Sequence, residues 1–432
     1  MKYTLTLLLF FAFFEIQSQS LYFPPLAGTA WETLPPDSLG WCDEQIEDLY
    51  AFLEDNGTKA FLVLKDGRMV LEKYFGTFSQ DSLWYWASAG KTATAVLVGI
   101  AQAEGLLDIG DPVSDYLGQG WTSAPADKEA LITVRHQLTM TSGLDDIGPD
   151  SDCTLPSCLL YLADAGTRWA YHNAPYTLLD KVVEAATGQN FNLYFTQKVK
   201  AKTGMKGLWL PLGYNNVYFS DARSMARFGL LVLNGGHWGN TPVLPDAAYM
   251  HDMVNTSQDL NLSYGYLWWL NGKDTYMVPG LQFPFSGPLS PSGPQDMISA
   301  LGKNGQFLSI SPSEGLIMVR MGNSPDALPV PFLLNNEIWK RMNDLSCSPV
   351  RTGEVAFFEK NMRAFPNPVD DFLKIAWQKD VGDFTLTITD GMGRQVFSGK
   401  NMDTIDTRHW PHGIYQCIVK WDGGMDMQGI VK

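Results

Sequence analysis

The chain has 432 residues, of which 45% are hydrophobic and 18% are charged. This composition is typical of a globular protein and excludes a chain that is disordered over most of its length. The formal net charge of −15 disfavours nucleic-acid binding, because that binding relies on lysine and arginine side chains that neutralise phosphates. No nucleic-acid partner is therefore expected.

The first residues are typical of a targeting segment. Lys2 precedes an apolar run from Leu5 to Phe14, and a small polar stretch at 17–20 follows. The run is too short to cross a bilayer comfortably, so residues 1–19 are interpreted as a secretory signal peptide, with an uncleaved anchor as the alternative. No later stretch is long and apolar enough for a stable transmembrane span. The sequence thus predicts a secreted or cell-surface protein.

Five cysteines in a secreted chain favour disulfide bonds, although spacing alone does not fix their pairing. Cys153 and Cys158 flank a short loop, which favours a local bridge. A bridge between Cys42 and Cys347 would tie the two ends of the main domain together, and one cysteine must remain unpaired. No pattern typical of a zinc site occurs, so neither a metal nor a cofactor is expected.

Hydrophobic periodicity predicts a mixed sheet with a helical region beside it. Apolar residues at helical spacing predict a helix over 43–56, ended by Gly57. The sequence between two predicted strand pairs is mostly helical. The first pair consists of residues 61–64 and 70–74, and the second of residues 308–311 and 316–321. An Asp-Gly turn joins the strands of the first pair, which is typical of a hairpin.

The pattern changes after Cys347. Residues 348–362 are linker-like, so a main domain over 20–347 and a second domain over 363–432 are predicted. About seventy residues suffice for a small β-sandwich. Its predicted strands are Phe372–Trp377, Phe384–Thr389, Gln395–Ser398 and Ile414–Trp421, with turns at 390–391 and 422–424.

Ser88 and Lys91 are the first candidates for catalysis. They precede an apolar run over 92–106 that predicts a helix, and a spacing of three residues places both side chains on one helix face. A serine hydroxyl needs a base, and a lysine serves as that base when burial lowers its pKa toward neutrality. Trp84 and Trp86 supply apolar surroundings. The alternative is a helix N-terminus with an exposed lysine, since chance yields roughly one such pattern in a chain of this length.

A second element, Tyr171-His172-Asn173, precedes an amphipathic helix pattern. A phenol beside a lysine can pass a proton to a leaving group, and an amide can orient a substrate. The similar stretch Tyr214-Asn215-Asn216 lies in a Gly- and Asn-rich connection and is interpreted as structural. A hydrogen-bonded structural tyrosine is the alternative at both places. His172 is interpreted as structural or exposed rather than as a titrating group of a cleft.

The third element, Lys303-Asn304-Gly305-Gln306, stands immediately before the downstream strand pair. A glycine on such a strand lets a substrate backbone approach, Lys303 offers positive charge to a carboxylate, and the next amide can point into an oxyanion hole. The more literal Lys202-Thr203-Gly204 ends a helical run, where glycine serves as a C-cap, so it is interpreted as structural.

With these three elements in order, the chain resembles the serine β-lactamase-like superfamily, closest to its class C β-lactamase, esterase and D-aminopeptidase branch. The resemblance covers roughly residues 28–345 and includes segments at 107–113, 132–144, 220–229 and 264–269. It implies the β-lactamase/DD-peptidase-like fold, which is an α/β (α+β) architecture with a mainly antiparallel sheet flanked by helices and a helical subdomain.

The resemblance implies a hydrolase that cleaves an ester or amide of a small molecule or short peptide in two steps. Ser88 would be the acylated nucleophile and Lys91 its general base. Tyr171 would be the proton shuttle that also helps to activate the deacylating water. The core positions Tyr266, Trp268 and Trp269 could line an acyl pocket, with core packing as the alternative.

The same resemblance implies the residues that bind the substrate. Asn173 would contact the substrate amide, Lys303 and Gly305 would form the edge of the site, and the amides of Ser88 and Gln306 would form the oxyanion hole. Dedicated β-lactamases of this branch usually have Lys-Thr-Gly at the third element, so the expectation moves toward a broader esterase or amidase. A β-lactamase or DD-peptidase proper, and a non-catalytic surface protein that keeps the fold for binding, are the alternatives.

The tail has a resemblance of its own, to the C-terminal sorting domain of type IX secretion. It is carried by Phe365–Pro368, Leu373–Ile375, Asp390–Arg394, Gly413–Tyr415 and Gly429–Lys432. This resemblance implies the type IX secretion machinery as a partner and export across the outer membrane. A plain β-sandwich binding module is the alternative.

Overall fold

The computed structural model describes residues 21–148, 150–324, 330–347, 362–377, 381–390, 394–422 and 424–432. The predicted signal peptide, all but the last residue of the predicted linker, and residues 391 and 423 of the two predicted turns lie outside these ranges. The chain divides into two compact units, residues 1–347 and 348–432. Within the described ranges, no helix is long and apolar enough to span a membrane.

Antiparallel strands form the framework of the first unit. They are β1 (Thr58–Lys65), β2 (Arg68–Tyr74), β3 (Trp84–Tyr85), β4 (Leu208–Leu212), β5 (Asn215–Ser220), β6 (His237–Trp238), β7 (Thr241–Pro242), β8 (Trp269–Leu270), β9 (Thr275–Tyr276), β10 (Phe285–Ser286), β11 (Ile298–Gly302), β12 (Gln306–Ser311) and β13 (Leu316–Gly322). The main sheet has the order β2-β1-β13-β12-β11-β8. The two predicted hairpins therefore meet in one sheet, where β1 pairs with β13.

The predicted Asp-Gly turn is confirmed. Asp66 and Gly67 have φ angles of 47° and 84°, the left-handed values that a two-residue hairpin turn of this kind requires. β1 is buried along most of its length, because α1 and α10 pack on it, whereas β2 is buried at Met69–Leu71 and half-buried elsewhere.

The helices of the first unit are α1 (Asp43–Asp55), α2 (Lys91–Ala103), α3 (Ser114–Leu117), α4 (Ala126–Glu129), α5 (Val134–Leu138), α6 (Asn173–Thr177), α7 (Leu179–Thr187), α8 (Phe191–Phe195), α9 (Ala201–Thr203), α10 (Ala222–Leu233), α11 (Ala247–Met253) and α12 (Phe332–Asn343). α10 packs on β1, β12 and β13, and α1 packs on β1 and α12. α2 contacts α7 and α11 and is buried along most of its length. The predicted sheet flanked by helices, with a helical region beside it, is confirmed.

Both disulfide bonds favoured by the sequence are present. Cys42 is bonded to Cys347, with a Cα separation of 5.1 Å, and Cys153 is bonded to Cys158, with a Cα separation of 5.9 Å. The first bond joins the two ends of the unit, where backbone hydrogen bonds from Cys42 to Leu345 and from Cys347 to Gly40 lie alongside it. Cys417 is the buried cysteine without a disulfide partner.

The second unit contains two antiparallel sheets with a hydrophobic core of their own. All four predicted strands are present, and three more were missed. The strands are β14 (Met362–Phe365), β15 (Phe372–Trp377), β16 (Phe384–Asp390), β17 (Gln395–Lys400), β18 (Thr404–Asp406), β19 (Ile414–Trp421) and β20 (Gly424–Val431). Buried and exposed positions alternate along β14 and β15, as expected of strands with one face on a core.

Candidate active site

Ser88 lies in a single 3₁₀ turn, Ala87–Gly90, that leads directly into α2; we call it the Ser88 turn. The turn is anchored by Trp86, which is fully buried and donates a hydrogen bond from its indole nitrogen to Ser220 Oγ at 2.7 Å. Lys91 is the first residue of α2, and its Nζ lies 3.1 Å from Ser88 Oγ. The predicted helical spacing thus brings the hydroxyl and the amine into contact.

Lys91 is only 3% exposed, and aromatic rings surround its amine. Nζ lies 4.1 Å from the centre of the Tyr176 ring and 5.2 Å from that of Tyr171. Burial lowers the pKa of Lys91 to about 7, and the nearby carboxylate of Asp152 opposes part of this shift. Near neutral pH a large fraction of the amine is therefore unprotonated and able to accept the Ser88 proton.

Tyr171 is the third predicted catalytic residue beside Ser88 and Lys91. Burial raises the pKa of Tyr171 above its usual value, and a hydrogen bond with Ser88 opposes that rise. The ring is stacked on Trp269, with ring centres 5.6 Å apart and an angle of 21° between the planes. This packing fixes the position of the phenol, which stays protonated at neutral pH and can relay a proton.

Asn173 begins α6 and reaches the same region. Its Nδ2 donates a hydrogen bond to Asp152 Oδ1 at 2.7 Å, whereas its buried Oδ1 has no hydrogen-bond partner within the described structure. Asp152 directly precedes Cys153, whose disulfide bond with Cys158 holds the neighbouring loop. Asn173 is therefore oriented by a carboxylate that the sequence did not single out.

These side chains line one cleft of about 570 Å³. Five of the predicted site residues are among its walls: Ser88, Lys91, Tyr171, Asn173 and Lys303. Sequence reasoning missed most of the remaining wall, which is formed by loops and by strand ends. These residues are Tyr85, Ala87, Asp146, Ser151, Asp152, Tyr176, Leu212, Asn215, Asn216, Val217, Pro279, Gly280 and Val330.

The structure does not bring Gly305 and Gln306 to the walls of the cleft. Gly305 lies in a turn between β11 and β12, with a φ of 77°, and its carbonyl accepts a hydrogen bond from the buried Arg320 at 2.7 Å. Gln306 is fully buried, and its side chain pairs with the backbone of Gly322. The expectation that Gly305 lies on a strand is wrong, because Gly305 ends the turn Lys303–Gly305 and β12 begins at the next residue, Gln306.

A different glycine approaches the Ser88 turn. Gly302 ends β11, and a Cβ atom there would lie 2.5 Å from the Trp86 carbonyl oxygen and 3.2 Å from the Ser88 amide nitrogen. Only a glycine lets the strand come this close to the turn. The sequence has two glycines here, Gly302 and Gly305, and periodicity alone did not indicate which of them lies against the Ser88 turn.

The rejected Tyr214-Asn215-Asn216 stretch has a part in the cleft. Asn215 and Asn216 line it, and Asn216 Nδ2 donates a hydrogen bond to the buried carboxylate of Asp180 at 2.7 Å. The other rejected stretch ends at Gly204, the left-handed C-cap of α9. The structural interpretation of that glycine is confirmed.

His172 is buried, and its burial lowers the pKa to about 4, so the imidazole is neutral at physiological pH. Tyr266, Trp268 and Trp269 are no more than 2% exposed and pack in the core. In the described part of the chain, no group of three or more His, Cys, Asp or Glu side chains is placed to hold a metal ion.

Comparisons with known proteins match both parts of the chain to family models. Residues 53–339 match the family model described as Beta-lactamase, and residues 363–432 match that described as Secretion system C-terminal sorting domain. The 6-aminohexanoate-dimer hydrolase of Paenarthrobacter ureafaciens is 23% identical over 320 residues, which cover 65% of this chain and 76% of that protein.

Solved structures share the fold of the first unit at low sequence identity. A family VIII carboxylesterase has a TM-score of 0.53 and 17% identity, and the alignment covers 72% of this chain and 99% of that one. A penicillin-binding protein homologue from Caulobacter crescentus has a TM-score of 0.54 and 14% identity, with 71% of this chain and 98% of that one covered.

Proposed function

Because this chain belongs to the Beta-lactamase family and carries a secretion sorting domain, we propose that it is an exported serine hydrolase that cleaves an ester or amide through an acyl-enzyme on Ser88. One observation carries the proposal. Ser88 Oγ lies 3.1 Å from the buried amine of Lys91, in a cleft that Tyr171 also lines and that is large enough for a small molecule or short peptide.

In the first step, Ser88 Oγ attacks the substrate carbonyl carbon while its proton passes to the unprotonated amine of Lys91. The tetrahedral intermediate collapses when the leaving group departs with a proton relayed through Tyr171. In the second step, water attacks the ester on Ser88, gives its proton to the same pair, and the acid product leaves. Lys91 and Tyr171 return this proton to the Ser88 oxygen as the acid product leaves, which regenerates the hydroxyl.

We assign the negative oxygen of the intermediate to the backbone amide of Ser88 and to the end of β11 at Gly302 and Lys303. The close approach of Gly302 to the Ser88 amide supports this assignment, and Lys303 is the residue of the third element that reaches the cleft. Backbone donors aimed at the developing charge are usually the largest single contribution to this type of catalysis. In this proposal the end of β11 supplies the oxyanion-hole donor that the sequence analysis had expected from the amide of Gln306.

The test uses both ester and amide substrates, because one relative is described as a 6-aminohexanoate-dimer hydrolase and one structural neighbour as a carboxylesterase. We expect the protein to hydrolyse p-nitrophenyl butyrate and to react with a fluorophosphonate probe at Ser88. Ser88→Ala is expected to lower kcat/KM by roughly 10³-fold or more.

Ser151→Ala is the matched control, since Ser151 is an exposed serine on the same cleft and should keep most of the activity. Unchanged hydrolysis by Ser88→Ala would refute the proposal. A nitrocefin assay distinguishes the β-lactamase alternative, and we expect much weaker turnover of nitrocefin than of the ester. Type IX export through residues 363–432 is tested separately, by locating the protein with and without that tail.

A further inference from the structure

The cleft contains one carboxylate without a cationic partner. Asp146, on the same wall, is paired with Arg168 at 2.6 Å. Asp152 is half-buried, and over the described residues no lysine, arginine or histidine nitrogen lies within 4.0 Å of its carboxylate. Its hydrogen bond from Asn173 comes from a neutral amide and supplies no positive charge.

The other charges of the cleft do not neutralise Asp152. Burial lowers the pKa of Lys91 to about 7, so its amine is only partly charged near neutral pH, and Lys303 is exposed and makes no ion pair with Asp152 within 4.0 Å. A partly buried carboxylate without a partner costs free energy, and that cost falls when a cation binds. Asp152 lies on the wall of the cleft in which a substrate must lie.

Two asparagines line the same cleft. The Oδ1 of Asn173 is buried and has no hydrogen-bond partner within the described structure, and the Nδ2 of Asn216 is bonded to Asp180. An ammonium group has three N–H donors and no acceptor. A carboxylate together with amide oxygens is the set of acceptors that such a group requires.

We propose that Asp152 is a specificity-determining residue that binds a substrate ammonium group, so that the substrates are amides or esters of amino acids or short peptides that carry a free amine. This inference rests on the proposed hydrolase function. It names the substrate class of the same cleft and gives Asp152 a contact with substrate in addition to its contact with Asn173.

The experiment compares ω-aminoacyl p-nitroanilides of two to six carbons with their N-acetyl derivatives, which keep the scissile bond and remove the charge. We expect kcat/KM to be about tenfold higher for the best free amine than for its acetylated form, as a charge-assisted hydrogen bond provides. In Asp152→Asn, which preserves the shape and the bond from Asn173, the two substrates should become equal. Asp127→Asn removes an exposed carboxylate outside the cleft and should keep the preference.

A second measurement does not depend on turnover. Calorimetry with Ser88→Ala should detect tighter binding of the free amine than of the acetylated anilide, and the Ser88→Ala/Asp152→Asn variant should lose that difference. If Asp152 serves only to orient Asn173 or to adjust the base, Asp152→Asn lowers activity toward both substrates equally, and the proposal is overturned. Equal binding of both anilides by Ser88→Ala also overturns it, whereas the hydrolase proposal falls only if Ser88→Ala remains active.

Discussion

At the scale of single residues, the environment of Lys91 sets the chemistry of the cleft. The amine is 3% exposed and faces the rings of Tyr171 and Tyr176. Aromatic faces favour an ammonium, as does Asp152, while burial disfavours it, and burial is the largest of these effects on the Lys91 pKa. Burial of the Lys91 amine therefore provides the catalytic base and lowers the free energy of unfolding wherever the unfolded chain would carry that amine protonated.

Lys91→Met tests this trade-off. We expect it to abolish hydrolysis and to raise the free energy of unfolding, because methionine fills a similar volume without a buried charge. The pKa of Lys91 is about 7 in the folded protein and 10.5 in its ordinary state. Between pH 7 and pH 10.5 the unfolded chain therefore keeps a proton on Lys91 that the folded chain has lost. The stability of the natural protein therefore rises with pH across that window, by about 1.4 kcal/mol per pH unit.

The advantage of Lys91→Met should accordingly be largest below pH 7 and should shrink as the pH approaches 10. Urea unfolding at pH 6 and pH 9 measures it, and Lys340→Met, at an exposed lysine, is the control without such a pH dependence. The acid limb of kcat/KM should have an apparent pKa near 7. A variant that is less stable than the natural protein at pH 6 would contradict the account of buried charge.

Single residues also show where the sequence was informative. Ser88 and Lys91 were found because three-residue spacing on a helix fixes their distance. Asp152 and Asn216 were missed because they come from the segment before the Cys153–Cys158 loop and from a hairpin, whose approach to the serine depends on tertiary packing. Asn216 was set aside together with Tyr214, although neighbouring residues at a turn can face different surroundings.

At the scale of elements, the contact between β11 and the Ser88 turn positions the serine. The strand is buried throughout, and its last residue, Gly302, has an ordinary extended backbone. The requirement for glycine there is one of space alone, since the Trp86 carbonyl and the Ser88 amide occupy the volume of a side chain.

Gly302→Ala should therefore displace the Ser88 turn without unfolding the sheet. A shift of about 1 Å in a reacting group costs roughly 10²-fold in rate, and we expect kcat to fall by about that factor. Gly148→Ala is the control, because its Cβ would meet open space. Steady-state kinetics with circular dichroism measures both effects, and full activity of Gly302→Ala would show that the contact does not position the serine.

Elements differed in how well the sequence predicted them. The hairpin of β1 and β2 was found from alternation and its Asp-Gly turn, and α1 from its helical spacing. Strands of two residues, such as β3 and β8, are too short to have a period and exist only because a neighbouring strand pairs with them. Gly305 was expected on a strand and lies in a turn, because glycine alone does not distinguish the two.

At the scale of the whole molecule, two units with separate cores share one chain. The division near residue 347 was visible in the sequence as a change from helical to alternating patterns. In the first unit the two disulfides close loops of very different length, with sequence separations of 305 and 5 residues. The stability they contribute should differ accordingly.

Removing the long-range bond by Cys42→Ser/Cys347→Ser should cost about 5 kcal/mol of unfolding free energy, whereas Cys153→Ser/Cys158→Ser should cost about 2 kcal/mol, because a longer closed loop restricts the unfolded chain more. Urea titrations followed by tryptophan fluorescence give both values. Each double variant is the control for the other, and the reverse order would contradict the loop-entropy explanation.

The Cys42–Cys347 bond also makes the polypeptide between these residues a closed covalent ring. A protease that cuts the backbone once anywhere inside the ring opens it but releases no fragment, since both pieces remain joined through the sulfur atoms. Two cuts, or one cut followed by reduction, are needed before a piece can diffuse away. This chain carries a sorting domain for export, and disulfides persist outside the cell. The Cys42–Cys347 bond should therefore protect the exported unit from losing a fragment after a single proteolytic cut.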